Sequence, residues 1–452
     1  MFLSFYIEIE STARELHYKI MLATCLANLG HRVIVAQSDI LRRIYRKGKG
    51  GVYFGKNIFT RPAKEESGKF LLEQRDLGIK TVYLDEEGAV MGGSADDWKS
   101  QTQVRYNRSF FKSNDIVLYW GDYWKNQDGD NVKGRKITVG APSFDLFKSD
   151  YDELFDVDKS TKNTNILVNG NFSCLFAANG LDTLEVIDAA KNIEDKSLIL
   201  NIISEEANSY SSLLKFMLSF ESKYKKDNIN FVYRPHPGES YALTKQILHD
   251  YDNIKVENKT PLELMIRQAD FVVHDGCTTG IQAYIAQKKV VAFQNSEVPR
   301  IYIPNAISNV ARNIGDVERF IVDDEFFLPK GVISDYPPLE SLINNIEPSS
   351  KQAILKIVDI IDDVCGTINK RNYREPTNWD VIQVDALSEI AIKIKKKTLY
   401  KIDHKRAHRF EHDHRRWNWD KNYIKSYQKK CSEYITSSAS ISYIGNWSLI
   451  IE

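Results

Sequence analysis

The strongest chemical pattern in the sequence is an apolar strand followed by a glycine turn and two threonines. Residues 271–274 form an apolar run that ends at His274, Gly276 permits a tight turn, and Thr278 and Thr279 stand where a helix should begin. The first turn of a helix presents N–H groups and the positive end of the helix dipole, which together favour a bound phosphate. An ordinary capped helix between two strands would show the same spacing, so both interpretations stay open.

A second pattern is the loop Tyr-Arg-Pro-His-Pro-Gly-Glu at 233–239, which directly follows an apolar run. Its two prolines and its glycine restrict the backbone. The loop would hold Arg234 and His236 at the carboxyl end of a strand, where open α/β sheets bind ligands. Arg234 supplies a permanent positive charge and His236 a proton donor, whereas the alternative is a structural turn with a hydrogen-bonded histidine.

Three consecutive acids, Asp85, Glu86 and Glu87, follow another predicted strand and precede a glycine. Because like charges repel, crowding would raise the pKa of at least one of them. In a cleft these acids could supply a nucleophile or a general base. A solvated acidic turn is the alternative interpretation.

Further candidates lie at other strand-to-helix junctions of the same half. Glu8, Arg14 and Glu15 surround the first junction, where they either face the same cleft or merely cap the first helix. Trp120 follows a later predicted strand. Its ring could stack on a sugar, although a buried tryptophan at a strand end is the commoner arrangement.

The order of these patterns along the 452 residues predicts the fold. Apolar runs of strand length alternate with amphipathic stretches, both before and after a polar linker at 156–165. This alternation indicates parallel sheets with helices on both faces. We therefore predict an α/β protein with two Rossmann-like domains facing a cleft, at 1–160 and 161–345, and a basic helical C-terminal extension at 346–452.

Composition limits the partners of the chain. Lys plus Arg and Asp plus Glu total 61 each, so a global basic field for nucleic acid is excluded. Five cysteines lie far apart without a CxxC pair, which fits a reducing cytoplasm. No apolar run reaches the roughly 18 residues of a spanning helix, and the N-terminus shows no signal-peptide pattern. We expect a cytoplasmic protein that binds no nucleic acid.

The segment 393–430 is locally basic, with 14 Lys or Arg against 4 Asp or Glu. It also contains two tryptophans, so it could bind an anionic membrane surface and place the protein peripherally at the inner face of the cytoplasmic membrane. A packed or solvated basic extension is the alternative. His404, His408 and His412 recur at helical spacing without acids or cysteines in register, which favours a solvated face over a metal site.

Several segments occur together, and in this order, in one known family. They are IEIESTAREL at 7–16, LDEEG at 84–88, YWGDYWKN at 119–126, VGAPSFDLF at 139–147, ILVNGNF at 166–172, YRPHPGE at 233–239, HDGCTTGIQAYIAQKKVVAF at 274–293 and IPNAISN at 303–309. Over about residues 1–345, the chain resembles the bacterial surface carbohydrate biosynthesis proteins that include the retaining β-Kdo glycosyltransferases.

The resemblance implies a GT-B fold and transfer of a Kdo-like ulosonic acid from a CMP-activated donor to a glycan or lipid-linked acceptor. It implies no metal and no cofactor besides the CMP-sugar substrate. The donor-binding candidates are Asn171, Arg234, His236, Asp275, Gly276, Cys277, Thr278 and Thr279. The candidates on the acceptor side are Glu8, Arg14, Glu15 and Trp120.

A retaining double displacement needs a carboxylate that attacks the face opposite CMP. With the nucleotide on the second half, this reasoning favours Asp85, Glu86 or Glu87 of the first half. Glu239 is the alternative nucleophile and Asp275 the third choice. His274 completes the catalytic candidates.

Two other functions stay open. A CDP-alditol phosphotransferase of the teichoic-acid type also uses a two-lobed fold with His-Pro elements, but it needs no anomeric nucleophile. A non-catalytic nucleotide-binding subunit of a polysaccharide assembly complex would release no CMP from CMP-Kdo in any mixture.

Overall fold

Two separate β-sheets, one built mainly from each half of the chain, organise the computed structural model. The structure describes residues 3–56, 67–86, 98, 102, 108–157, 163–172, 175, 193–224, 228–294, 302–323, 336–368, 373–402 and 420–452.

The first sheet has eight strands within these ranges, in the order β13-β14-β2-β1-β3-β4-β5-β6. The first six strands along the chain are parallel, whereas β14 runs antiparallel to β2 and β13 antiparallel to β14. Their bounds are β1 Ser4–Ile9, β2 Arg32–Gln37, β3 Val52–Gly55, β4 Lys80–Leu84, β5 Ile116–Tyr119, β6 Arg135–Thr138, β13 Ile441–Ile444 and β14 Ser448–Ile451.

The second sheet is parallel throughout and, in the same described ranges, has six strands in the order β12-β11-β10-β7-β8-β9. Read from the β9 edge and counted within this unit, the order is 3-2-1-4-5-6, which is the Rossmann order. The bounds are β7 Thr164–Asn169, β8 Ile229–Arg234, β9 Ile254–Val256, β10 Phe271–His274, β11 Lys289–Phe293 and β12 Asn309–Ala311.

Helices connect the strands and cover the sheets. Their bounds are α1 Thr12–Asn28, α2 Ser38–Tyr45, α3 Ser67–Asp76, α4 Asp122–Asp128, α5 Pro142–Asp145, α6 Ile193–Tyr224, α7 Tyr241–Ile247, α8 Leu262–Gln268, α9 Thr278–Ile285, α10 Tyr302–Ala306, α11 Ile314–Ile321, α12 Leu339–Leu342, α13 Ala353–Gly366, α14 Asn378–Ile402 and α15 Lys421–Tyr434. Short 3₁₀ turns lie at Arg108–Phe110, Gly129–Asn131 and Ser149–Leu154.

The predicted α/β class with two Rossmann-like units that face a cleft is confirmed. Local signals explain this agreement: β10 is a fully buried apolar run, and α1 begins directly after Ser11 and ends before Gly30, whose φ is 85°. The segment 198–203 belongs to the long helix α6. The predicted boundaries of the domains stay predictions.

The chain after residue 346 folds back onto the first unit. α13 and α15 pack on α1, and α14 packs on α2. The predicted helices are followed by two strands, of which the fully buried β14 covers the edge of β2. Covering this edge removes a row of unpaired backbone groups from solvent. Among the described residues, no helix has both the length and the apolar character needed to cross a membrane.

Candidate functional site

The carboxyl ends of both sheets open into a cavity of about 230 Å³ between the two units. The strand order reverses between β1 and β3 in the first sheet and between β7 and β10 in the second. Open α/β sheets bind ligands at such reversal points. Lys56 follows β3, Asn169 ends β7 and Cys277 follows β10, and all three line the cavity. The cavity therefore lies at both reversal points.

The second unit forms one wall with the amino-terminal end of α9. Gly276 has a φ of 67°, in the left-handed region, and it turns the chain from β10 into the helix. Cys277 is the N-cap of the helix, and Cys277, Thr278 and Thr279 all line the cavity. The positive end of the α9 dipole and two hydroxyl-bearing residues therefore border the space that a ligand would fill.

The loop after β8 fixes His236 in the same wall. The amide of Gly238 donates to Nδ1 of His236 at 3.0 Å, so the neutral ring carries its proton on Nε2. Glu239 accepts hydrogen bonds from the amide of His236 at 3.2 Å and from the hydroxyl of Tyr233 at 2.9 Å. Burial raises the pKa of Glu239, although these hydrogen bonds oppose the rise. Glu239 thus holds the loop that presents His236 to the cavity.

Arg234 ends β8 and brings a buried cation to this wall. One guanidinium nitrogen donates to the carbonyl of Thr260 at 2.8 Å and lies 3.0 Å from the sulfur of Met265. Burial lowers the pKa of the guanidinium, and the carboxylates of Glu263 and Glu257 oppose the change. An arginine side chain nevertheless stays charged in proteins, so the wall suits an anionic ligand.

The first unit forms the opposite wall with a network of carboxylates and ammonium groups. Lys19 Nζ lies 2.7 Å from Oε2 of Glu15 and 3.2 Å from Oε2 of Glu86. Lys56 Nζ lies 2.8 Å from Oε2 of Glu10 and 3.2 Å from Oε1 of Glu15. Glu15, Lys56 and Glu86 line the cavity. The first turns of α1 and the segments after β3 and β4 therefore bring charged groups to one surface.

Two lysines keep Glu15 ionised. Burial by itself would raise the pKa of Glu15, but the charges of Lys19 and Lys56 outweigh burial and lower the pKa to about 2. Burial lowers the pKa of Lys19, and the attraction of Glu15 opposes that change. The wall is thus a preorganised arrangement of charges in a region of low solvent access.

Four buried polar atoms on cavity-lining residues have no hydrogen-bond partner within the described part of the chain. They are Oη of Tyr18, Nε1 of Trp120, Nδ2 of Asn169 and Oε1 of Gln282. Tyr18, Trp120 and Asn169 are at most 4% exposed. Because an unpaired buried polar group costs about 1–3 kcal/mol, such atoms around one cavity indicate a polar ligand that pairs with them.

The cavity brings together many of the residues predicted from the sequence. Those that line it are Arg14, Glu15, Glu86, Trp120, Asn171, Arg234, His236, Cys277, Thr278 and Thr279. The described candidates outside this lining are Glu8, Asp85, Glu239, His274, Asp275 and Gly276. Glu87 lies outside the described residues. The chemical role of each candidate stays a prediction.

Two of the candidates outside the lining support the residues that form it. Glu8 accepts hydrogen bonds from the amide of Lys56 at 3.2 Å and from the hydroxyl of Tyr53. His274 accepts from the amide of Gly276 at 3.0 Å and lies 2.9 Å from the hydroxyl of Ser308.

The position of His274 does not support a role at the reacting atoms. Its ring is fully buried, and a Cβ at Gly280 would collide with it, so α9 packs directly on the imidazole. Burial lowers the pKa of His274 to about 3, which keeps the ring neutral.

Sequence reasoning missed several residues that line the cavity, namely Tyr18, Lys56, Asn169 and Gln282, and also Lys19, which pairs with the lining residues Glu15 and Glu86. Asn169 and Lys56 had a usable signal, because each stands at the carboxyl end of a predicted strand. Lys19 had only its spacing of four residues from Glu15, which also fits an ordinary surface ion pair.

Comparison with known proteins gives likeness in structure but not in sequence. No protein-family model matches the chain, and no curated protein matches it. The structure is similar to a putative UDP-N-acetylglucosamine 2-epimerase from Listeria monocytogenes, with a TM-score of 0.47 and 9% identity over 82% of this chain and 99% of that chain.

Two further solved structures are similar at the same level. One is the MnaA–UDP complex from S. aureus, with a TM-score of 0.46 and 13% identity over 81% of this chain and 98% of that chain. The other is a glycosyltransferase from Rickettsia africae, with a TM-score of 0.41 and 12% identity over 80% of this chain and 99% of that chain. Likeness at these values does not establish what this chain does.

Proposed function

We propose that the chain is a retaining glycosyltransferase that moves a Kdo-like ulosonic acid from a CMP-activated donor to a bacterial surface glycan. One observation carries the proposal: a single cavity has a helix amino terminus with Arg234 and His236 on one wall and the carboxylates of Glu15 and Glu86 on the other. Glycosyl transfer needs both kinds of group, because negative charge grows on the leaving phosphate while positive charge grows on the sugar.

The phosphate of the donor binds at the wall of the second unit. The start of α9 and the hydroxyls of Thr278 and Thr279 donate hydrogen bonds to it, and Arg234 adds positive charge. The Nε2 proton of His236 is directed to the oxygen that leaves with CMP. Hydrogen bonds to charged groups contribute about 1.5–3 kcal/mol each, and those that strengthen as charge develops accelerate departure of the nucleotide.

Glu86 attacks the sugar from the wall of the first unit. Its carboxylate forms a bond to the anomeric carbon as the bond to phosphate breaks and CMP leaves with the electron pair. The acceptor hydroxyl then attacks the same carbon and releases its proton to solvent, while the bond to Glu86 breaks and the carboxylate leaves with the electron pair. The two inversions give retention. Glu15 has a pKa of about 2, so it stays ionised and stabilises positive charge on the sugar. The two carboxylates share Lys19, but the side chain of Glu86 is 10% exposed against 4% for Glu15, so Glu86 is the more accessible nucleophile.

The unpartnered atoms of the cavity bind hydroxyl groups of the sugar. Trp120 Nε1 and Asn169 Nδ2 donate, Gln282 Oε1 accepts, and the hydroxyl of Tyr18 does either. A sugar hydroxyl both donates and accepts, so a polyhydroxylated ligand satisfies all four atoms. A ligand that only accepts, such as a second phosphate, would leave Gln282 Oε1 unpaired.

The test is release of CMP from CMP-Kdo by the full chain, with and without glycan acceptors and with and without EDTA. We expect slow release without acceptor, faster release with a suitable surface glycan, and no effect of EDTA. In parallel, CMP at about 100 times its dissociation constant should stabilise the protein by roughly 2.7 kcal/mol. Transfer from CDP-glycerol instead of CMP-Kdo would establish the phosphotransferase. Binding of CMP without turnover of any donor would establish the non-catalytic subunit.

A further inference from the structure

The first half of α14 makes the hydrogen bonds that hold this helix to the first unit, and Ile392 in its second half packs against the core. The carboxylate of Asp385 accepts hydrogen bonds from the amides of Asn446 at 3.0 Å and Trp447 at 2.8 Å and from the hydroxyl of Ser448 at 3.0 Å. The indole of Trp447 donates to Glu389 at 2.8 Å. Beyond these contacts, every residue from 389 to 402 is at least partly exposed. The second half of α14 therefore extends along the surface of the protein.

An apolar stripe runs along the outer face of this helix. Leu387, Ile390 and Ile394 are 56%, 54% and 60% exposed, and their spacing of three and four residues places them on one face. The buried face of the same helix consists of Val381, Val384, Asp385 and Ser388. At about 100° per residue, the centre of the stripe lies roughly 135° from the centre of the buried face. The stripe is thus separate from the face that packs on the protein.

Lysines flank the stripe on both sides. Residues 390–402 contain five lysines and no acid. At about 100° per residue, Lys397 lies roughly 55° to one side of the centre of the stripe and Lys395 roughly 105° to the other. Both lysines are exposed. An apolar face bordered by long cationic side chains is the pattern of helices that lie in the interface of a lipid bilayer, where the lysines reach the headgroups.

We propose that the outer face of α14, formed by Leu387, Ile390 and Ile394 with the flanking lysines, binds an anionic lipid surface. Charge decides between this occupant and a second copy of the chain. Each copy has five lysines at 390–402 against one adjacent acid, Glu389, which pairs with Lys393 at 3.0 Å. Two copies packed through this face would therefore bring a net positive charge together, whereas an anionic surface neutralises it. The surface lies outside the cavity, so its function does not depend on the proposed transfer reaction.

The test is sedimentation of the full chain with vesicles of phosphatidylcholine, either alone or mixed with phosphatidylglycerol. The wild type should bind the anionic vesicles, bind the neutral ones weakly, and lose binding as salt increases. Ile390→Ser with Ile394→Ser, and separately Lys395→Glu with Lys397→Glu, should each lower the partition coefficient roughly tenfold or more. The matched control is Leu72→Ser with Leu355→Ser, which removes side chains 56% and 46% exposed on α3 and α13 and should bind as the wild type does.

Three results would overturn the proposal. The wild type could stay in the supernatant with anionic vesicles at low salt. The α14 variants could bind as strongly as the control variant. The wild type could also prove to be a dimer that the isoleucine variant converts to a monomer, with no vesicle binding by either, which would make the stripe a contact between copies. Unchanged melting temperature and CMP binding of the variants verify that each is folded.

Discussion

His17 on α1 and Glu263 on α8 join the two Rossmann-like units, with Nδ1 of the ring 3.1 Å from Oε1 of the carboxylate. The other ring nitrogen, Nε2, lies 2.7 Å from the hydroxyl of Tyr423 on α15. Burial alone would raise the pKa of Glu263, but the interaction with His17 outweighs it, and the pKa is lowered. One imidazole therefore contacts both units and the C-terminal extension, beside a carboxylate that lines the cavity.

Loss of this junction should destabilise the protein. Removing one partner of a buried hydrogen bond leaves the other group unsatisfied and costs about 1–3 kcal/mol, so His17→Ala and Glu263→Gln should each lower the free energy of unfolding by an amount of that order. Because the folded-state pKa of Glu263 is lowered, its contribution is present above the unfolded-state pKa and is lost as pH falls through the folded-state value. Chemical denaturation at several pH values measures both effects.

A surface pair supplies the control for this prediction. His249 lies 2.9 Å from Asp250, and its side chain is 62% exposed. His249→Ala should change stability little, since exposed ion pairs contribute at most about 1 kcal/mol. Equal losses from His17→Ala and His249→Ala would mean that the junction does not hold the units together.

The start of α9 should control affinity for the donor. Thr278→Val and Thr279→Val each remove the hydroxyl of a residue that lines the cavity. Each lost hydrogen bond to a phosphate should weaken CMP binding by about 1.5–3 kcal/mol. Titration calorimetry with CMP measures the change. Thr398→Val, on the exposed part of α14, is the control. CMP affinity that is unchanged in the double variant would remove α9 from the donor site.

Local patterns predicted the parallel strands, the turns and the segments of the second unit that line the cavity. Gly276, Thr278 and His236 belong to short segments whose conformation depends on glycine, proline and capping residues close in sequence. Such signals do not depend on the tertiary fold, so the parallel strands and the turn that starts α9 could be predicted from sequence alone, whereas phosphate binding at α9 stays a prediction.

The cavity wall formed by the first unit depends on contacts between residues that are distant in sequence, and no local pattern encodes these contacts. Lys19 meets Glu86 across 67 positions, and His17 meets Glu263 across 246. β14 completes a sheet whose neighbouring strand β2 lies more than 400 positions earlier. Lys19 stands among apolar residues of α1, and the sequence alone does not show that the fold buries its side chain. The ionic network could therefore not be predicted.

Glu86 should be the carboxylate on which turnover depends. Glu86→Gln keeps the shape of the side chain but removes the nucleophilic oxygen, so the rate of transfer should fall at least about 1,000-fold while CMP still binds. Asp85→Asn and Glu239→Gln are the matched variants, because neither side chain lines the cavity. Intact mass after incubation with CMP-Kdo should reveal a sugar adduct on the wild type and none on Glu86→Gln. If Glu86→Gln transfers the sugar at the wild-type rate, Glu86 is not the nucleophile and another carboxylate has that role.

Asp145 should make stability depend on pH in a direction opposite to that of Glu263. Its side chain is fully buried on α5, where one oxygen accepts from the amide of Ile354 and the other from the side-chain amide of Asn345, both at 2.7 Å. Burial raises the pKa of Asp145 from 3.8 to about 6, although these hydrogen bonds oppose the rise. Between these two pKa values, Asp145 therefore keeps a proton in the folded protein that it has lost in the unfolded chain.

A raised folded-state pKa gives stability that is fully present below the unfolded value and is lost as pH rises through the folded value. As pH rises from roughly 4 to 7, the unfolding free energy of the wild type should therefore fall by up to about 3 kcal/mol relative to that of Asp145→Asn. Urea denaturation at intervals across this range measures it, with Asp250→Asn, at an exposed carboxylate, as the control. A difference that stays constant with pH would show that Asp145 is ionised in the folded protein throughout the range. The hydrogen bonds from Ile354 and Asn345 would then outweigh burial.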